Sequence, residues 1–218
     1  MTTQDTPAEP VLPYAIIAKA ARALDDRALR TLFIDARAAN GFLPQPIAPE
    51  LVEEIYRLSI LGMTASNALP MRLVIINSVE GKERLLRSTH ARNIEKTKSS
   101  PVTVIVAADL RFHEHIRRLW PHAPENALRF QGAENAAFAK QFALTNATLQ
   151  GAYFMLAARA LGLDVGPMGI YDKESLDGEF FPDGQCTGIF LIGLGYGDDS
   201  KVGDRLPRFA FSEVATFV

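Results

Sequence analysis

The 218-residue sequence contains a single cysteine, Cys186. That excludes an intrachain disulfide framework and any zinc site built on cysteines. A reduced setting suits such a chain, and a cytoplasmic location is expected. Charge of one sign is also missing. Lys plus Arg number 23 and Asp plus Glu 25, for a net charge of −2. A general nucleic-acid binder needs a clustered basic field, so that class is disfavoured. Long apolar runs are absent: VTVIVAA and IFLIGL have strand length, far below the roughly 18 residues that span a bilayer. The opening MTTQDTPAEP lacks a basic stretch followed by an apolar one, so no signal peptide is expected. No internal repeat or low-complexity block is present.

The residues needed for self-contained chemistry are sparse too. The histidines are His90, His113, His115 and His122. They show no HExxH spacing, and His113 and His115 would point to opposite sides of a strand. No GxSxG elbow occurs. Cys186 sits in PDGQCTG without a neighbour in sequence to lower its pKa. Gly193, Gly195 and Gly197 follow a strand-like run, but DDSKVGDRLPR after them does not open a helix. A dinucleotide-binding loop therefore fails on context.

What is present is an ordinary globular composition, 48% hydrophobic and 22% charged, sized for one domain. Residues 1–24 are expected to be a mobile N-terminal extension, with a short helix at Tyr14 to Ala23. Residues 25–218 are expected to form one domain. Leu29, Leu32, Phe33 and Ala36 share helical spacing, with Asn40-Gly41 as the stop. A second helix starts near Pro49 and ends near Gly62, with Leu51, Val52, Ile55 and Leu58 as its apolar face. Met71 to Ser78 reads as a strand, followed by a turn at Gly81 and a short helix carrying Arg84, Leu85 and Leu86. VTVIVAADL is apolar throughout and reads as a strand covered on both faces. Arg111 to Asn126 reads as a long connection or a short helical excursion.

Ala133 to Leu161 has no proline and reads as one long helix, apolar on more than one face and stopped at Gly162. GPMGIYDKESL reads as a loop, then a helix capped by Asp172. GIFLIGLGYG is a third strong strand, and Asp198 to Val218 is a tail. The order points to a mixed α+β or α/β sandwich rich in helix.

Three segments hold candidate binding groups. DARAANGF places Arg37 and Asn40 at a helix end; an arginine fork suits phosphate, although a solvated charge is the plainer reading. GMTASNALPMR supplies Thr64, Ser66 and Asn67 on a loop stiffened by Pro70; an Asx-turn is the plainer reading of Asn67. GLDVGPMG offers the rigid backbone around Pro167, or an ordinary turn.

Taken in order, LFIDARAANGF, SNALPMRLV, GKERL, NIEKTKSSPVTVIVAAD, NATLQGAYFMLAARALGLDVGPM and GYGDDSKVGDRLPRFAFSE resemble the FMN-dependent nitroreductase family. Within it they are most similar to the malonic semialdehyde reductase (RutE-like) branch. The resemblance runs from about Leu29 to the C-terminus. It implies an α+β fold, a nitroreductase-like α/β/α sandwich with a central mixed sheet and a long buried helix. It also implies an intertwined homodimer with FMN at the interface, and residues 25–218 as the flavin-binding domain.

Arg37 and Asn40 match the motif near the FMN phosphate and ring. Asn67 matches a flavin-contacting Asn, with Ser66 counted beside it. Asn146 matches a polar position facing the flavin or ligand pocket. Pro167, Met168 and Gly169 match the loop near the ring. Arg205 matches a phosphate-binding Arg, with Lys201 as a second contact. Departures from the pattern fall at Ala38, Met63, Ala65, Gly203 and Ile170.

The implied activity is hydride transfer from NADPH or NADH through flavin N5 with ping-pong kinetics, reducing malonic semialdehyde to 3-hydroxypropionate. Such an anionic substrate asks for a cation, with Arg72 and the Arg111 to Arg129 segment as candidates. No general acid is assigned. The alternatives are a broad nitroaromatic, quinone or enone reductase, and a non-catalytic flavin- or ligand-binding homologue. No nucleic-acid or membrane partner is expected.

Overall fold

The structure is a computed structural model and describes residues 23–218. The helix expected at Tyr14 to Ala23 lies outside the described residues, except for Ala23, which is not helical. The described chain falls into two compact units that divide between Ala36 and Arg37.

In the first unit, α1 (Asp26–Leu29) is capped by the Asp25 carboxylate, which accepts from Ala28 N at 2.8 Å. It continues as a π-helical turn, Arg30–Ile34, in which Asp35 N donates to Arg30 O at 3.0 Å. The sequence predicts a single α-helix up to Asn40-Gly41. The wider π turn changes the angle per residue, so Leu29, Leu32, Phe33 and Ala36 do not form one buried stripe. None of them is buried, and Phe33 is exposed.

The second unit is built on a four-stranded sheet: β1 (Met71–Ile76), β2 (Val102–Asp109), β3 (Asp164–Gly169) and β4 (Cys186–Gly195). The strand order is β1-β2-β4-β3. Every pairing among these strands is antiparallel, where a mixed sheet was expected. Residue β2 Val104 lies between Ile75 and Ile192 in register. All of β2 is buried, as its mostly apolar sequence predicts, and that includes Thr103 and Asp109.

The helices are α2 (Pro49–Ser59), α3 (Val79–Leu86), α4 (Ile94–Ser99), α5 (Ile116–Leu119), α6 (Ala136–Ala160), α7 (Lys173–Phe180) and α8 (Phe211–Val214). On one sheet face, Val102, Val104, Val106 and Ala108 pack with Phe154 and Ala147 of α6 and Ile55 of α2. On the other, Ile105 and Ala107 pack with Leu85 of α3 and Leu176 of α7. The alternation along β2 thus feeds a separate core on each face, which gives the expected α/β/α layering.

Helix α6 has 25 residues and spans about 37 Å. Its buried residues include Ala139, Ala143, Asn146, Ala147, Gln150, Phe154 and Ala158, one broad stripe at helical spacing. The apolar Phe138 and Leu149 stay exposed, so only one face is covered within the chain. Gly151 lets the helix lie close to the sheet, since a Cβ there would come within 2.6 Å of the Phe190 ring. Gly162, at φ 84°, follows the end of α6, the conformation a helix stop favours.

Three local expectations change. The predicted loop at Gly166 to Gly169 is part of β3. Its Gly-Pro-Met-Gly composition resembles a turn, but an edge strand tolerates proline because one side makes no ladder bonds. Strand β1 stops at Ile76, and Ser78 accepts from Gly81 N at 3.0 Å to cap α3, so Gly81 lies in a helical first turn. Helix α2 ends at Ser59, and Leu58 is exposed.

The Arg111 to Asn126 connection contains α5 between short 3-10 turns. The Asp172 cap on α7 is present, accepting from Ser175 N at 2.9 Å.

Candidate functional site

The 39–43 segment is stitched between β3 and the exit of β4. Ala39 N donates to Val165 O at 3.0 Å, Leu43 N to Tyr196 O at 2.8 Å, and Asp198 N to Gly41 O at 3.0 Å. Phe42 bridges Gly197. This lacing brings residues far apart in sequence to one place. Asn40 Nδ2 donates to Lys201 O at 3.2 Å. The Lys201 side chain runs over Gly41, where a Cβ would collide with it. Its ammonium lies 3.6 Å from Asp198.

Arg159, at the end of α6, donates to Arg37 O at 3.3 Å. Its pKa is lowered, first by burial, while Asp164 opposes that and Arg205 adds to it. Arg205 is therefore within electrostatic reach of Arg159.

Lys96 completes the cluster. It is 8% exposed, and its ammonium donates to Pro167 O at 3.4 Å. Burial lowers its pKa. It sits beside Gly166, where a Cβ would lie 2.5 Å from both Ala39 O and Lys96 Cε. The neighbouring Pro167 and Gly169 are exposed, while Met168 is buried and accepts from Thr97 Oγ1 at 3.6 Å. With Thr148, Ala152, Met155 and Phe190, residues Pro167 to Gly169 line a depression of about 390 Å³.

A second constellation lies on the Thr64–Leu69 loop. Ser66, Asn67 and Leu69 adopt left-handed φ values of 58°, 45° and 42°. Such a conformation costs about 1–3 kcal/mol per non-glycine residue and persists only when surroundings fix it. Here α6 fixes it at both ends. Asn146 Oδ1 accepts from Ala65 N at 2.8 Å, and Gln150 Oε1 accepts from Met71 N at 2.9 Å. Asn146 Nδ2 donates to Phe142 O at 2.9 Å. Both polar atoms of the Asn146 amide are thus engaged within the chain. Asn67 Nδ2 donates to Leu119 O at 2.7 Å.

The expected site residues therefore fall into two groups. Asn40 meets Lys201 on the segment laced to β3, the strand that carries Pro167, Met168 and Gly169, while the Arg37 carbonyl and the Arg205 charge both approach Arg159. Ser66, Asn67 and Asn146 gather at the other constellation. No hydrogen bond among the described residues joins the two groups.

Of the departures, Met63 is exposed and a Cβ at Gly203 would meet open space. Ala38 is exposed. Ile170 packs against the second core.

Sequence reading passed over Lys96, Arg159 and Gln150. Lys96 and Lys98 differ by two positions in NIEKTKSS, and only the fold shows which is buried.

The first group can hold an anion. Lys96 has carbonyl rather than carboxylate company, and Arg205 is close enough to Arg159 to lower its pKa. The exposed Pro167 edge and the apolar depression beside it suit a flat ring. That donor set fits a phosphate-bearing planar group such as FMN. Cys186 offers little as a nucleophile, because burial and then Asp109 push its pKa up. Among the described residues no group of His, Cys, Asp and Glu is placed to hold a metal ion.

Comparison with known proteins adds the following. The model of the nitroreductase family matches residues 37–196. A Ralstonia nicotianae protein that carries the provisional name NADH dehydrogenase/NAD(P)H nitroreductase is 45% identical over 190 residues, covering 87% of this chain and 96% of the relative. A Bacillus subtilis crystal structure, provisionally named a nitroreductase, superposes with a TM-score of 0.80 at 23% identity, covering 88% of this chain and 99% of that one. An Exiguobacterium sibiricum structure, provisionally a nitroreductase in complex with FMN, gives a TM-score of 0.76 at 21% identity, covering 90% and 98%. These likenesses at low identity concern the fold.

Proposed function

Because the chain belongs to the nitroreductase family and is an NAD(P)H-dependent oxidoreductase, we propose that it works with FMN seated against the exposed Pro167 edge. The carrying observation is the buried Lys96, which donates to Pro167 O beside Gly166, where the Ala39 backbone also approaches. When bound, FMN supplies the hydride relay between NADPH or NADH and an acceptor. The chain's own residues bind and orient. Arg37, Lys201 and Arg205 hold the phosphate, Lys96 turns its ammonium toward the ring side through Pro167 O, and Phe190 with Met155 excludes water.

The Ser66–Asn67 loop belongs to the same reading through a homodimer. In one chain it shares no hydrogen bond with the cationic group, so a second copy would supply it to the partner's flavin. The exposed Leu206, Phe209, Phe211, Val214 and Phe217 of the tail, with Phe138 and Leu149 of α6, give such a contact its apolar area. A cytoplasmic setting completes the reading, supported by the lone cysteine.

The acceptor that fits this reading is a nitroaromatic, quinone or enone, supported by the nitroreductase name of the 45% identical relative. Malonic semialdehyde, reduced to 3-hydroxypropionate, is the narrower proposal. It needs a cation near the ring. Arg72 is committed to Asp109 at 2.5 Å and to the carbonyls of Leu69 and Met71, which weakens its candidacy. The non-catalytic alternative gives way to the family assignment.

The visible spectrum of the purified protein tests the cofactor, and bleaching by NADPH tests the donor. A colourless protein that takes up no FMN would overturn the proposal. Parallel assays with a nitroaromatic and malonic semialdehyde separate the two acceptors.

A further inference from the structure

A cavity of about 630 Å³ lies at the free edge of the sheet, against β1. Its volume is in the range of small-molecule sites. Val52 and Tyr56 of α2, Leu73 of β1, and Leu119 of α5 give it apolar walls. Its polar groups are Arg72, His115, Arg118 and Glu53.

The buried Asp109 carboxylate decides which of these groups is available. It takes Arg72 Nη2 at 2.5 Å and Arg111 N at 2.8 Å, with His115 Nε2 at 3.5 Å. Arg72 Nη1 is committed to two backbone carbonyls. Arg118 is different, since it has no carboxylate within ion-pair distance among the described residues. Glu53 likewise makes no ion pair there, and it is the one acid on the lining.

We propose that this cavity binds a small organic monocarboxylate with an apolar body. Arg118 pairs with the carboxylate, and the body lies against Val52, Tyr56, Leu73 and Leu119. A neutral ligand of the same shape would leave the Arg118 charge partly dehydrated without a counter-charge, which is unfavourable. A cationic ligand would meet Glu53 but also the charge of Arg118, Arg72 being already paired with Asp109. None of its residues belongs to the cationic group, but Leu69 ends the Ser66–Asn67 loop and Leu119 O accepts from Asn67, so the cavity borders the loop that the flavin reading uses.

Calorimetric titration with 4-phenylbutyrate, on FMN-free and FMN-saturated protein, tests this. Saturable binding is expected in both forms, with 4-phenylbutanamide binding more weakly. Arg118→Gln is expected to weaken 4-phenylbutyrate about three- to five-fold, the reach of a half-exposed ion pair. Glu53→Gln is expected to tighten it, which a merely unfolded variant would not do. Equal binding of acid and amide, or of wild type and Arg118→Gln, would overturn the proposal. So would competition by FMN, which would place the ligand in the flavin site. Binding that weakens as protein concentration rises would assign the cavity to a contact between copies and overturn it too.

Discussion

Asn67 donates its side-chain amide to the carbonyl oxygen of Leu119, 52 residues away, at 2.7 Å. The bond ties a left-handed turn to the end of α5. Asparagine tolerates that backbone better than most residues. Asn67→Ala loses both the bond and the conformational preference, and is expected to cost about 1–3 kcal/mol. Asn67→Gly keeps the conformation and loses only the bond, so its cost is expected to be smaller. Urea unfolding of the two variants checks the order. Equal destabilisation would show that the left-handed turn contributes nothing to the loss.

Arg205→Ala and Lys96→Gln are expected to lower FMN affinity by about ten-fold or more, on the scale of a lost charge-assisted hydrogen bond. Flavin retained after ultrafiltration measures it. Retention equal to wild type in the Arg205 variant would remove that residue from the phosphate site.

Burial lowers the Lys96 pKa from 10.5. In the window between the lowered value and 10.5, the unfolded chain binds more protons at this residue than the folded one. Stability from Lys96 therefore rises with pH across that window. Lys82 is shifted the same way by burial, so the slope is shared. Lys96→Met is expected to flatten part of it in FMN-free protein. Denaturation midpoints measured at pH values up to 10.5 follow the difference between variant and wild type. An unchanged slope would mean that Lys96 is solvated when the flavin is absent.

Phe154 is fully buried where α6 meets the sheet. Phe154→Ala is expected to cost about 3–5 kcal/mol. Leu149→Ala, on the exposed face of the same helix, is expected to leave the stability of an isolated chain nearly unchanged. If the homodimer reading holds, that second substitution instead lowers stability in a concentration-dependent way.

Light scattering is expected to give twice the 23.9 kDa chain mass. A clean monomer that still turns over NADPH would sink the shared-site reading, because the Ser66–Asn67 loop would have no partner flavin to serve.

The strands β2 and β4 and the helix α6 were legible because their burial is continuous and their residues say so. Val102 to Ala108 has one polar residue, Thr103, and Ala136 to Ala160 has no proline. β3 was hidden by composition. Its pairing with β4 depends on Leu191 and Ile192 opposite Met168 and Pro167, which no local signal in GPMG reveals. The first helix misled because regular spacing was read through a π turn. At the site, Arg37, Asn40 and Arg205 were picked out by likeness to a family pattern. Lys96 was not, since its significance arises from Pro167 and Gly166 lying across from it in the fold.

Asn146 and Gln150 stand four residues apart on one face of α6, and each grips one end of the 65–71 segment. A rigid rod held at two neighbouring points constrains rotation as well as position. The loop can therefore shift only together with α6, and bending between its two anchors breaks a bond. Any ligand that displaces the loop must move the helix or surrender one of those two grips. Motion at Asn67 would then be felt along α6 from its middle to Arg159 in its last turn.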